Sequence, residues 1–131
     1  MSEPKKGCPF CSLTESRIRY TSELAVAVDD AYPVSPGHTL IVPRRHVGTY
    51  FALSDPERHA MHALMDQARC DLARERKPDA YTIGINDGPA AGQSIPHVHI
   101  HLIPRYRGDR ENPRGGVRWV LPEKADYWTA R

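Results

Sequence analysis

Residues 97–103 read His97-Val98-His99-Ile100-His101-Leu102-Ile103, a histidine alternating with an apolar residue. A β-strand sends successive side chains to opposite faces. As a strand, this segment sets His97, His99 and His101 in one row and turns Val98, Ile100 and Leu102 to a core. Three imidazoles on one short strand are costly to explain as filler. Each can titrate near neutrality, donate, accept, attack phosphorus or bind a metal. Pro96 cannot donate to a sheet ladder, so the strand begins at or after it.

The rest of the chain supplies a frame for that row. Residues 1–7 are polar and read as loose. Residues 17–21 alternate polar and apolar, as an edge strand does. Residues 24–28 form a short apolar run stopped by Asp29-Asp30, and residues 38–42 form a third strand closed by Pro43. Strands this short and this close in sequence suit an antiparallel meander. Ser54, Pro56 and Glu57 announce a helix, with a capping box and a proline in the first turn. Met61, Leu64, Met65, Ala68 and Leu72 give it one apolar stripe, and Pro78 ends it. Residues 81–85 form a fourth strand, and a glycine-rich loop, residues 86–94, then leads to the histidines. The order strands, helix, strands indicates an α+β fold with an antiparallel sheet.

At 131 residues the chain is one domain in length. It holds no apolar run long enough to span a membrane. Its N-terminus has no apolar stretch of the secretory type. A net charge of +2 is too small to argue for nucleic-acid binding. Three cysteines disfavour a disulfide framework, and Cys8-Pro9-Phe10-Cys11 points to a reducing, cytoplasmic setting.

Two chemistries compete for the histidine row. Imidazoles two apart on a strand can share one metal ion, with a further ligand completing an open catalytic site. Alternatively, one neutral imidazole attacks phosphorus and later leaves. The preceding loop favours the second. Gly88 and Gly92 let backbone N–H groups approach closely, while Gln93 and Ser94 add donors, which suits phosphate oxygens.

Asn86-Asp87-Gly88, Gly92-Gln93-Ser94 and the segment from His97 to Pro104-Arg105 together resemble the signature of the histidine triad (HIT) family of nucleotide hydrolases and transferases. Pro36-Gly37-His38-Thr39-Leu40-Ile41-Val42-Pro43 resembles a second segment of that family. The resemblance runs from about Cys8 to Arg105. It implies a five-stranded antiparallel sheet with one long helix packed on it plus short helical segments, usually as a homodimer. Residues 1–131 then form a single domain, with an N-terminal segment (1–16), a core (17–105) and a tail (106–131). The implied activity is hydrolysis at the α-phosphate of a nucleotide conjugate, a nucleoside phosphoramidate or a dinucleoside polyphosphate, releasing a monophosphate such as AMP.

The same resemblance implies the roles. His99 attacks phosphorus and forms a nucleotidyl-histidine. The His97 carbonyl fixes its tautomer, and His101 holds the phosphate. Asn86, Gly92, Gln93 and Ser94 cradle phosphate oxygens or the leaving group. Asp30 accepts both ribose hydroxyls, with Ala31 beside it. The transferase branch carries Gln where His101 stands. A nucleotide-binding scaffold without turnover, and a zinc hydrolase using the row as ligands, remain alternatives. So does a plain turn at Asp29-Asp30.

Cys8 and Cys11 have zinc-knuckle spacing, but two thiols leave a tetrahedral ion half bound; they also read as small buried apolar groups. A redox pair is disfavoured, because no helix pattern begins after Cys8. In family members with this Cys-x-x-Cys, zinc is completed by the counterparts of His46 and His97, a closed and therefore structural set. Zn2+ at Cys8, Cys11, His46 and His97 is thus implied. Cys70 reads as packing, His38 as strand structure, and His59 and His62 as solvated. An apolar base slot has Val28, Ala31, Leu40 and Ile41 as candidates. The tail arginines read either as steering charge or as solvated surface, and Trp128 as a cover for substrate or for a dimer seam. The partners expected are a small nucleotide and a second copy of the chain, with neither nucleic acid nor membrane.

Overall fold

The computed structural model describes residues 4–129. Three strands, β1 (Ile18–Thr21), β2 (Ala25–Asp29) and β3 (Thr39–Pro43), form the expected meander. The helix α1 (Asp55–Glu75) follows, then β4 (Ala80–Gly84) and β5 (Ile100–Arg105). All five strands join one antiparallel sheet in the order β1-β2-β3-β5-β4. Among the described residues, no helix is long and apolar enough to cross a membrane.

The alternation in residues 97–103 holds, but the strand is shorter than its pattern. The ladder begins at Ile100, because Pro96 has no N–H to give and the Val98 N–H donates to the Val47 carbonyl instead (2.7 Å). Val98 and Ile100 still pack with Ala25, Ala27, Ile41, Met61 and Leu64 on the helix side of the sheet. Leu102 packs with Ala68 and Leu72. The histidines take the other face, where Leu40 pairs with His101 across the β3–β5 ladder.

That second face is also covered, so β2 and β3 are buried on both sides. Cys8 and Phe10 from the N-terminal segment pack on Val26, Val28, Leu40 and Val42. This explains why residues 24–28 read as an unbroken apolar run rather than an alternating one. Of the residues expected to be loose, 1–3 lie outside the described part. Lys5 and Cys8 close a turn, with the Cys8 N–H donating to the Lys5 carbonyl (3.1 Å).

The start of α1 is fixed as its sequence indicates. The Ser54 hydroxyl accepts from the Glu57 N–H, and the Glu57 carboxylate accepts from the Ser54 N–H at 2.8 Å. Glu57 is nonetheless buried, because Arg45 grips it with two N–H groups at 2.8 and 3.0 Å. That guanidinium holds the carboxyl down at about 2. Met61, Leu64, Ala68 and Leu72 are buried as the stripe requires. Cys70, expected to pack, is exposed instead. It lies between Ala68 and Leu72 in sequence and hence on the opposite side of the helix.

The tail, which has no period, is ordered by stacking. Arg110 lies over Trp119 (4.6 Å), Arg114 over Trp128 (4.6 Å) and Arg118 over Tyr127 (4.5 Å). Gly115 permits this with φ +98°; a Cβ there would sit 3.1 Å from both tryptophan side chains. A short helix, α2 (Pro122–Ala125), closes the segment.

Met61 is fully buried between the helix and the sheet. Met61→Ala is expected to lower unfolding free energy by about 2–5 kcal/mol, measured by urea denaturation.

Candidate active site and metal centre

The site is built on His97, a residue with no exposed surface. Its ring Nε2–H donates to the Pro43 carbonyl at 2.8 Å. A carbonyl only accepts, so the proton is on Nε2 and the Nδ1 lone pair is free to face elsewhere. It faces sulfur: Cys8 Sγ is 3.4 Å away and Cys11 Sγ 3.7 Å. His46 Nδ1 lies 3.2 Å from Cys11 Sγ. These four residues bring one ligand atom each to a common point, all within 4.8 Å of one another. Two thiols and two imidazole nitrogens are a tetrahedral donor set, and a carbonyl holding the far nitrogen of a ligating histidine is the usual support for one. The four are therefore able to hold a metal ion. Burial keeps the His97 imidazole neutral and pushes the Cys8 thiol up; a cation at the centre would draw that proton off.

His99 is oriented by the same residue. Its Nδ1–H donates to the His97 backbone carbonyl at 2.9 Å. A proton is thereby placed on Nδ1, so the neutral tautomer of this ring is the one with its lone pair on Nε2. The ring is almost buried, with 7% of its surface exposed, and is flanked by Phe10 and His101, each with a ring centroid at 5.0 Å. The ring is thus held in a fixed orientation, and its Nε2 is not needed for that support.

His38, read from sequence as strand structure, turns out to be part of this array. The Val34 N–H donates to His38 Nδ1 at 3.1 Å, so the His38 proton is on Nε2. That nitrogen lies 3.0 Å from His101 Nδ1 and 3.4 Å from Asp30 Oδ2. Donation to His101 Nδ1 leaves His101 protonated on Nε2. His101 is then a hydrogen-bond donor without being charged, since burial beside His99 and His38 lowers its pKa to about 4. The only sequence signal for His38 was its place in the Pro36-Gly37-His38 segment. Nothing in its spacing from residue 101 shows that the β3–β5 pairing brings the two rings together.

Asp30, His38 and His101 are also close enough to share an ion. The Val34 N–H argues against it. A metal on His38 Nε2 would require the proton on Nδ1, directly facing another N–H donor.

The glycine-rich loop is held from outside the row. The Gln93 side chain accepts from the Gly88 N–H (2.7 Å) and donates to the carbonyls of Gly48 (2.8 Å) and Ile95 (3.1 Å). Asp87 accepts from the Tyr50 N–H (2.7 Å) and the Thr49 hydroxyl (2.8 Å). Gly88 and Gly92 have φ of +99° and +93°. Gln93 thus fixes the loop, while Asn86 is half-buried and Ser94 exposed on it. Asp30 accepts from the Tyr32 N–H at 2.8 Å with one oxygen. Ala31 beside it is exposed. Of the expected base-slot residues, Val28 and Leu40 pack with Phe10 on the histidine face. Ile41 belongs to the helix-side core and faces away from the site. His59 and His62 are exposed, as expected.

Comparison with known proteins agrees with this geometry. The HIT domain family model matches residues 13–108. The chain is 31% identical to an uncharacterized 16.1 kDa HIT-like protein of Mycoplasma pneumoniae, over 80% of this chain and 76% of that one. It is 34% identical to the bis(5'-adenosyl)-triphosphatase of Saccharomyces cerevisiae, over 88% of this chain but 54% of the yeast protein. Among solved structures, a HIT family protein from Bacillus anthracis superposes with a TM-score of 0.74 at 30% identity, covering 79% of this chain and 77% of that one. A Zn-bound histidine triad family protein from Mycobacterium smegmatis superposes at 0.72 with 28% identity, covering 81% and 80%. With the sheet order, the helix and the histidine array in place, these matches show that the chain belongs to the HIT family.

Proposed function

We propose that this chain is a nucleotide hydrolase that cleaves nucleotide conjugates at the α-phosphate through a covalent nucleotidyl-His99 intermediate. The observation that carries the reading is the bond from His99 Nδ1–H to the His97 carbonyl, which selects the tautomer whose lone pair is on Nε2. A neutral imidazole in that tautomer is a competent nucleophile toward phosphorus. Nε2 attacks the α-phosphorus and the bond to the leaving oxygen or nitrogen breaks; a polyphosphate departs as its anion, and an amine departs with a proton taken from solvent water. Water then displaces His99, giving a nucleoside monophosphate such as AMP and restoring the free ring. His101, a neutral donor on Nε2, stabilises the charge that develops on the phosphoryl oxygens. His38 is a positioning residue that sets the His101 tautomer. The Asp30 carboxylate accepts the ribose hydroxyls, with Ala31 at the sugar–base edge. Asn86, Gly92 and Ser94 line the phosphate, and Gln93 shapes their loop.

The name of the yeast relative supports a dinucleoside polyphosphate as substrate; a nucleoside phosphoramidate suits the same attack. Cys8, Cys11, His46 and His97 would hold Zn2+, the metal present in the Mycobacterium smegmatis relative. A Cys2His2 set fills the four positions of the ion, so its contribution is a cross-link between the N-terminal segment and the histidine row. Residues 1–131 act as one domain, in a homodimer as the family implies. Three unpaired thiols fit a reducing cytoplasm.

Incubation with diadenosine tetraphosphate and with an adenosine phosphoramidate tests the reading. Wild-type protein is expected to release AMP, and His99→Ala to lower kcat/KM by about 10^3-fold or more. Equal, slow release by both proteins would leave only nucleotide binding. Elemental analysis is expected to find zinc in the wild type and none in Cys8→Ser/Cys11→Ser. Wild type purified with intact thiols and no zinc would remove the metal from the account.

A further inference from the structure

One cavity adjoins the site without having been assigned to it. It measures about 650 Å³ and runs between the N-terminal turn and the end of the glycine-rich loop, with Lys5, Lys6 and Pro9 on one wall and Ser94 and Pro96 on the other. Cys8 and His46 also line it, and Ser94, placed above beside the phosphate, opens onto it. Phe10, the residue after Pro9, lies against the His99 ring. Pro96 runs directly into His97. A group leaving on the Ser94 side of the phosphate would be directed toward this space.

Its charge is one-sided. Lys5 and Lys6 are its cations, and no carboxylate lines it among the described residues. Neither ammonium has an ion-pair partner among the described residues. The turn that carries the lysines is fixed by the knuckle. The Lys5 N–H donates to Cys11 Sγ at 3.3 Å, and the Lys5 carbonyl accepts from the Cys8 N–H at 3.1 Å. Gly7, with φ +86°, lets the chain reverse between them. Two cations on a fixed turn can attract an anion, since lysine binds phosphate as a point charge.

We propose that Lys5 and Lys6 form the leaving-group subsite and that its occupant is a polyphosphate anion. The proposal rests on the nucleotidyl-transfer reading above and narrows it. Dinucleoside polyphosphates, whose leaving group is itself a nucleoside polyphosphate, are preferred over phosphoramidates, whose leaving amine has no negative charge to offer.

The test is the ratio of kcat/KM for diadenosine tetraphosphate to that for an adenosine phosphoramidate, measured with the full zinc-loaded chain. Lys5→Ala/Lys6→Ala is expected to lower the ratio 10-fold or more, and Lys5→Glu/Lys6→Glu to lower it further. Lys5→Arg/Lys6→Arg is expected to return it to within about 3-fold of wild type, because the charge is kept. A ratio that moves less than 2-fold in the alanine variant overturns the subsite, including the case where both substrates slow equally. Calorimetry with inorganic tripolyphosphate separates this proposal from its parent. Binding that disappears in the alanine variant supports the subsite even if no nucleotide is turned over, the result that would sink the hydrolase reading. His99-dependent turnover with an unchanged ratio and unchanged tripolyphosphate binding sinks the subsite alone.

Discussion

One buried imidazole, that of His97, links three parts of the site: the end of β3, the cysteine knuckle and the His99 ring. Its Nε2–H is held by the Pro43 carbonyl at the end of β3. Its Nδ1 faces the two knuckle thiols. Its backbone carbonyl holds the next histidine in the row. A polar ring with no exposed surface is costly unless every polar atom has a partner. Here each does, and each partner belongs to a different segment. The cost of burying it is thus tied to the orientation of His99, and the proposed metal binding and nucleophilic attack fall on different residues, 97 and 99, so the two do not compete for one ring.

The sheet explains why this is possible in so short a chain. The helix covers one face with Met61, Leu64, Ala68 and Leu72, the residues its stripe marks out. The N-terminal segment covers the other with Cys8 and Phe10. An ion held by Cys8, Cys11, His46 and His97 would add a cross-link between that segment and the histidine row. Phe10 then does two jobs, filling the core on that face and bounding the His99 ring.

Much of this was legible because it follows from local periodicity. Alternation placed the histidines on one face, the helical stripe placed the core, and the Ser54–Glu57 pair placed the helix start. What was hidden depends on residues far apart in sequence. His38 acquires its role only when β3 pairs with β5 and brings its ring to His101. Glu57 looks like an ordinary cap, and only Arg45 accounts for its burial. Ile41 and Leu40 are neighbours of equal hydrophobicity, and the register alone decides that Leu40 faces the site and Ile41 the helix. Cys70 has the apolar character of a packed residue, but its angular position on the helix puts it on the exposed side. The tail shows no pattern because arginine–aromatic stacking at uneven intervals has no period to detect.

The central claim is chemical: His99 Nε2 becomes bonded to phosphorus during turnover. The most direct measurement is rapid mixing with diadenosine tetraphosphate labelled at the α-phosphorus, an alkaline quench that preserves phosphorus–nitrogen bonds, and peptide mapping of the label. The account requires a transient adenylyl group on His99 that forms and decays at rates compatible with AMP release. Steady AMP release with no label on that ring, or with the label on a different side chain, would contradict it.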